Sequence, residues 1–230
     1  MHPGPGFRIN TEIHRPTADI CAAFASFTTA DISDQLNRQY TLAHDIHNIV
    51  NEDCFAGPAV TVKLFPGDNL MLHKAIDIVQ PGDVVVIDAS GSTTNAVIGD
   101  LIASKLKHKG VAGVIVDGLA RDLPDLKTVG LPIFAKGVSP IGPLHRGPGE
   151  LNFSICCGGI VVSPGDIVVA DNIGAVIVHQ NFASDLLQTL QLTKDSRAEY
   201  EKSVRQGVFN NDWVETTLKN SRCAIQSAKQ

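Results

Sequence analysis

Between Pro81 and Gly118 the chain spells out one supersecondary unit. "PGDVVVIDASG" turns and enters a buried strand, "NAVIGDLIASKLKHKG" has the spacing of an amphipathic helix stopped by Gly110, and "VAGVIVDG" is a second buried strand. A strand returned by a helix to a strand of the same kind pairs in parallel and needs helices laid on the sheet. The pattern continues on both sides. Residues 59–65 alternate as a strand, 66–69 turn, 70–79 have helical spacing with Leu72, Ala75, Ile76 and Val79 on one face, and 131–137 form another strand after a short link. An α/β layer with partly parallel pairing follows.

A related phrase recurs at residues 163–178, "SPGDIVVADNIGAVIV", where Pro-Gly-Asp again opens a β-branched run. Two turn-plus-strand units built alike are expected. Segments 17–26 and 28–38 predict short capped helices and a mostly helical first quarter, while 182–207 predicts a long helix and 211–230 a shorter one. Between them, residues 136–159 are dense in Gly and Pro and long for a connection, which points to a functional or interface loop.

A chain of 230 residues with 43% hydrophobic content can bury a full core. The net charge of −5, with no basic run longer than "KLKHK", argues against nucleic acid as a partner. No stretch approaches the roughly 20 apolar residues of a membrane span. The N-terminal residues lack the basic start and apolar centre of a secretory signal, so a cytoplasmic location is expected. The five cysteines show no CxxC spacing and read as buried thiols, not as a zinc site or disulfide framework.

Chemistry concentrates in two short stretches. Gly99, Asp100, Leu101 and Ile102 lie early in a helix, where unpaired amides can receive a carboxylate or phosphate. The plain alternative is that a residue among Ser92 to Asn95 caps the helix and Asp100 faces water. Arg121 and Asp122 follow a strand ending in Gly118, which puts them at the carboxyl edge of a sheet, where open α/β sheets bind ligands. Arg offers a planar fork to a carboxylate and Asp a hard oxygen to a divalent cation; the plain alternative is a surface ion pair worth little.

Twenty residues separate Asp100 from Arg121, and Asp122 follows at once. With this Asp-x20-Arg-Asp element, the stretch from "GDNLMLHKAIDIV" to "VAGVIVDGLARD" resembles the class II pyruvate aldolases of the 4-hydroxy-4-methyl-2-oxoglutarate aldolase type and the related regulator of ribonuclease E activity A (RraA-like) family. The likeness covers residues 28–178. It implies a compact layered α/β sandwich of the phosphohistidine-swivelling type over residues 1–180 and a C-terminal helical extension over 181–230 packing on a homo-oligomer, a trimer or a hexamer of paired trimers. It further implies Mg²⁺ or Mn²⁺ on Asp122, Arg121 on the pyruvyl unit and its enolate, and the Leu101 and Ile102 amides beside Gly99 on the carboxylate. Asp100 would orient a proton-carrying water.

The expected activity is cleavage of a 4-hydroxy-2-oxo diacid to pyruvate and a second oxo acid, with oxaloacetate decarboxylation through the same enolate. In such aldolases a glutamate from a neighbouring subunit's C-terminal helix lies near the metal's waters. Here Glu199 and Glu201 both qualify by position, and Glu199 is taken first. The loop "GVSPIGPLHRGPGE" departs from the aldolase pattern and adds His145, Arg146 and Glu150, which implies a different second half of the substrate. His73 reads as a structural hydrogen-bonding residue, Asp171 as a turn former before Gly174, and Cys156–Cys157 as strand neighbours facing opposite ways. The other reading of the resemblance is a non-catalytic regulator that binds a ribonuclease or another protein.

Overall fold

The computed structural model describes residues 2–224. The chain divides into two compact units, Met1–Leu190 and Gln191–Gln230. The first opens with β1 (Phe7–Ile9), α1 (Ala18–Phe24), α2 (Thr29–Gln35) and β2 (His47–Asn48). It continues through β3 (Phe55–Leu64), α3 (Leu70–Ala75), β4 (Val84–Asp88), β5 (Ala96–Ile98), α4 (Asp100–His108), β6 (Gly113–Ala120), α5 (Leu123–Val129) and β7 (Ile133–Val138). Short strands β8 (Gly149–Leu151), β9 (Ile155–Cys157) and β10 (Ile160–Val162) precede the hairpin β11 (Ile167–Asp171) and β12 (Gly174–Val178). Helix α6 (Ala183–Arg205) crosses from the first unit to the second, which also holds α7 (Asp212–Asn220).

The centre of the main sheet is parallel: β3 pairs with β4, β4 with β6, and β6 with β7. Antiparallel β8 lies on the other edge of β3, and β11 pairs with the first residues of β3. Period-two alternation divides the apolar residues between faces. Val85 and Ile87 of β4 and Val114 and Val116 of β6 meet α3, α4 and α5 through Leu72, Leu106 and Leu126. Val84, Val86 and Ile115 turn the other way and pack with Phe134, Ile155 and Ile177. A sheet covered on both faces needs no polar face, hence the unbroken Val/Ile runs of β4 and β6.

The two Pro-Gly-Asp turns are built alike, as expected. Gly82 and Gly165 have φ of 88° and 84°. Asp83 accepts the Gln80 amide at 2.7 Å and Asp166 the Ser163 amide at 2.8 Å, and each turn leads directly into a strand, β4 and β11. The rest of the fold revises the sequence reading in four places. The segment expected to be one helix over 95–110 is a three-residue strand, then Gly99, then α4. The short link after β6 contains α5, with Gly130 closing it at φ 69°. Residues 136–159 hold the end of β7 and all of β8 and β9, so the long irregular part is only 139–148. The first quarter carries β1 and β2 beside its two helices.

Asp171 shapes the β11–β12 turn by accepting the Ile173 amide, and it also receives Thr29. Cys156 is exposed and Cys157 buried, as adjacent strand residues should be. The chain's cysteines are not all interior, however: Cys54 and Cys223 are exposed as well. Among the described residues no helix is long and apolar enough to cross a membrane. The expected last helix forms as α7; residues 225–230 lie outside the described residues.

Candidate active site

The carboxyl end of β6 is where the predicted residues meet. Strand β5 runs beside the last residues of β6, with Ala96 opposite Leu119 and Ile98 opposite Ala120. The Arg121 amide continues this contact to the Ile98 carbonyl at 2.9 Å. Immediately after β5 the chain enters α4 with Gly99 in the cap position, and the first helical bond runs from the Ala103 amide to the Gly99 carbonyl. Helix geometry therefore leaves the Asp100, Leu101 and Ile102 amides without a helical acceptor, beside Arg121. This start excludes the alternative in which a residue among Ser92 to Asn95 is the cap.

Arg121 and Asp122 form an ion pair, Nε to Oδ2 at 3.1 Å, with side chains 41% and 37% exposed. On its own, such a pair is worth about 0–1 kcal/mol. Three further features set it apart from an ordinary surface pair. Asp122 has φ 58°, a left-handed conformation for a non-glycine residue, which costs energy the surroundings must supply. It occupies the cap position of α5, yet its side chain makes no capping bond and pairs with Arg121 instead. Gly99 and Gly142 complete the arrangement: a Cβ at 99 would meet Asp122 Oδ2 at 2.6 Å, and one at 142 would meet Arg121 Nη1 at 2.6 Å.

A cleft of about 260 Å³ is lined by Gly99 through Ile102, Arg121, Lys105 and Pro143, with Asn69, His73 and His145, and Asp122 adjoins it through its ion pair with Arg121. The loop after β7 supplies Pro143 and His145 and is pinned at several points. Asn95 donates to the Gly142 carbonyl at 2.8 Å, the Ala96 amide bonds the Ile141 carbonyl at 2.8 Å, and buried Asp68 accepts the Leu70 and Arg146 amides. His145 Nδ1 lies 2.6 Å from Asn69 Oδ1, and its ring packs edge to face on His73. Burial, with His145 and Lys105 adding, lowers the His73 pKa below its ordinary 6.5, so this wall is neutral at His73 near pH 7.

Among the loop residues singled out in the sequence, His145 reaches the cleft and Glu150 does not. Glu150 is buried and holds the N-terminal strand through the Gly6 amide at 2.8 Å and Arg8 Nε at 2.6 Å. Asp117, inside the same strand as the site, also has a structural job: it pairs with Lys136 at 2.8 Å and accepts the Gly158 amide. Asn69, Lys105 and Gly142 join the site without having been assigned to it from sequence. Glu199 lies on α6 in the second unit and is exposed.

Among the described residues no group of three or more His, Cys, Asp or Glu side chains is placed to hold a metal. Asp122, whose carboxylate pairs with Arg121 at 3.1 Å and makes no capping bond, could hold a hydrated ion such as Mg²⁺, which keeps most of its waters.

A family model described as Aldolase/RraA matches residues 29–177. The chain belongs to the RraA-like family. It is 34% identical over 191 residues to a protein of Halalkalibacterium halodurans provisionally named 4-hydroxy-4-methyl-2-oxoglutarate aldolase, a match spanning 83% of this chain and 91% of that one. Among solved structures it is similar to Streptomyces coelicolor RraAS2, described as an unusual member of the RNase ES inhibitor RraA family, with TM-score 0.73 and 28% identity, covering 84% of this chain and 99% of that one. RraA of Thermus thermophilus, described as an RNA-processing inhibitor, matches with TM-score 0.62 and 29% identity over 66% of this chain and 92% of that one. The mixed α/β fold with a large sheet is thus that of the RraA-like proteins.

Proposed function

We infer that this RraA-like chain is a divalent-metal-dependent lyase that cleaves a 4-hydroxy-2-oxo diacid to pyruvate and a second oxo acid, and that it also decarboxylates oxaloacetate. The observation that carries this reading is the meeting of Arg121, ion-paired to Asp122, with the free amides of α4 in one cleft, with glycines at 99 and 142 keeping the approach open. Both reactions leave an electron pair on the pyruvyl unit, and a fixed guanidinium beside unpaired amides is the kind of preorganised charge that stabilises an enolate. The Leu101 and Ile102 amides receive the substrate carboxylate, Arg121 holds the pyruvyl oxygen as it gains charge, and Asp100 orients the water that delivers a proton to carbon. A Mg²⁺ or Mn²⁺ ion on Asp122 would supply Lewis-acid charge to the pyruvyl oxygens.

In this reading the chain works as a trimer or hexamer in the cytoplasm, its sandwich is of the phosphohistidine-swivelling type, and a neighbouring subunit's helix brings a glutamate to the site. Glu199 is the better candidate for that glutamate, because Glu201 is engaged by Arg197 at 3.1 Å and Arg205 at 3.9 Å. The inhibitor descriptions of the two solved relatives support a second reading, a regulator that binds a ribonuclease without turnover. Pyruvate release, followed by coupled reduction to lactate, separates the two. With oxaloacetate or a 4-hydroxy-2-oxo diacid and added Mg²⁺ or Mn²⁺, pyruvate should form and EDTA should stop it. No pyruvate from any such substrate, together with retention of a ribonuclease in a pull-down, would favour the regulator.

A further inference from the structure

Enolate stabilisation uses one side of the cleft, and the Asn69–His145 pair on its wall has no part in it. Asn69 is 2% exposed, and its Nδ2 donates to the Val97 carbonyl at 3.0 Å. A carbonyl can only accept, so the orientation of this amide is fixed and the atom facing His145 is its oxygen. That oxygen lies 2.6 Å from His145 Nδ1 and can only accept in turn. The imidazole must therefore carry its proton on Nδ1, which leaves Nε2 of the neutral ring with a bare lone pair. Nε2 has no hydrogen-bond partner among the described residues, and His145 lines the cleft that holds Arg121 and the α4 amides. A buried amide that sets the tautomer of an exposed imidazole is the arrangement of a base and its orienting group.

We propose that His145 is the catalytic base for the carbon–carbon cleavage, taking the proton of the substrate's 4-hydroxyl on Nε2, with Asn69 as its positioning residue. The assignment rests on the lyase reading above. The O–H bond breaks toward Nε2 and the C4 oxygen becomes a carbonyl. The C3–C4 pair passes into the pyruvyl unit as its enolate. Carbon 3 then takes a proton from the water held by Asp100, and His145 returns its own to solvent, so the ring ends neutral and no redox partner is needed. Oxaloacetate has no hydroxyl at this position; its carboxylate leaves as CO₂ and delivers its electron pair to the same enolate. The two reactions thus share Arg121 and differ in their need for His145.

The test is the ratio of diacid cleavage to oxaloacetate decarboxylation, measured in the full-length protein with Mg²⁺. His145→Gln should lower that ratio by about 100-fold or more, the contribution of a positioned base. Arg121→Ala should reduce both reactions together.

A reading independent of turnover comes from two-bond proton–nitrogen NMR correlations of the imidazoles, which should show His145 as the Nδ1–H tautomer. An unchanged ratio in His145→Gln, or an Nε2–H tautomer, would overturn the proposal and leave the enolate site standing. So would wild-type protein that decarboxylates oxaloacetate but cleaves no diacid. Wild-type protein that releases no pyruvate from either substrate would instead remove the lyase reading itself.

Discussion

A methyl group at position 99 would lie 2.6 Å from Asp122 Oδ2 and 3.2 Å from the Arg121 side chain. Gly99 has φ −141°, which any residue can adopt, so Gly99→Ala carries no backbone penalty and acts by displacing both side chains. Pyruvate release should fall on the order of 100-fold, the cost of misplacing reacting groups by about 1 Å, while the urea midpoint moves little. Gly142→Ala should be milder, since its Cβ would meet only the far end of Arg121, which can swing aside. The residues proposed to carry this chemistry are legible in the sequence because their spacing is local to one strand–helix–strand unit. Asn69 and Gly142 are not: each acquires its role from partners far along the chain, Val97 and His145 in one case and Arg121 in the other.

The elements that sequence periodicity recovers are those long enough to show a period. β4, β6 and α4 carry apolar runs or faces whose burial matches their spacing. β5 has three residues and passes into α4 through a single glycine, so its pattern merges with that of the helix. α5 has seven residues and starts Leu123-Pro124, which looks like a break but is allowed in a first helical turn. The Pro-Gly-Asp turns are the exception among short features, because their chemistry is written in the tripeptide itself. Asp83 is 1% exposed, takes two bonds from Arg15 at 2.7 and 2.8 Å, and caps its own turn. Asp83→Ala strands Arg15 and opens the entry to β4, so a loss of about 3 kcal/mol is expected in urea unfolding. A loss under about 1 kcal/mol would mean the turn holds without it.

At the scale of the molecule, a row of charges crosses the main sheet: Lys63 pairs with Asp88 at 3.1 Å, and Lys136 with Asp117 at 2.8 Å. Asp88 and Asp117 are register neighbours on β4 and β6, so each lysine offsets a like-charge contact in the sheet. Glu150 extends this system to the N-terminal strand. Burial by itself would raise its pKa, but the Gly6 amide, Arg8 and Lys63 outweigh that and hold it below the ordinary 4.5. A lowered carboxylate pKa contributes stability above the unfolded value and loses it as pH falls through the folded one. Wild type should therefore exceed Glu150→Gln in stability at neutral pH, with the gap closing below pH 4.5; a gap that persists in acid would assign the difference to packing.

The most direct measurement is pyruvate release by Arg121→Ala set against its urea midpoint, with Mg²⁺ present throughout. Arg121 is 41% exposed and its amide bond to Ile98 does not involve the side chain, so truncation should leave folding nearly unchanged. Loss of one preorganised donor to an enolate should lower kcat by about 100- to 1,000-fold. That fall with an unmoved midpoint is the expected result; activity that survives, or activity and stability lost in equal proportion, would contradict an enolate site at the end of β6.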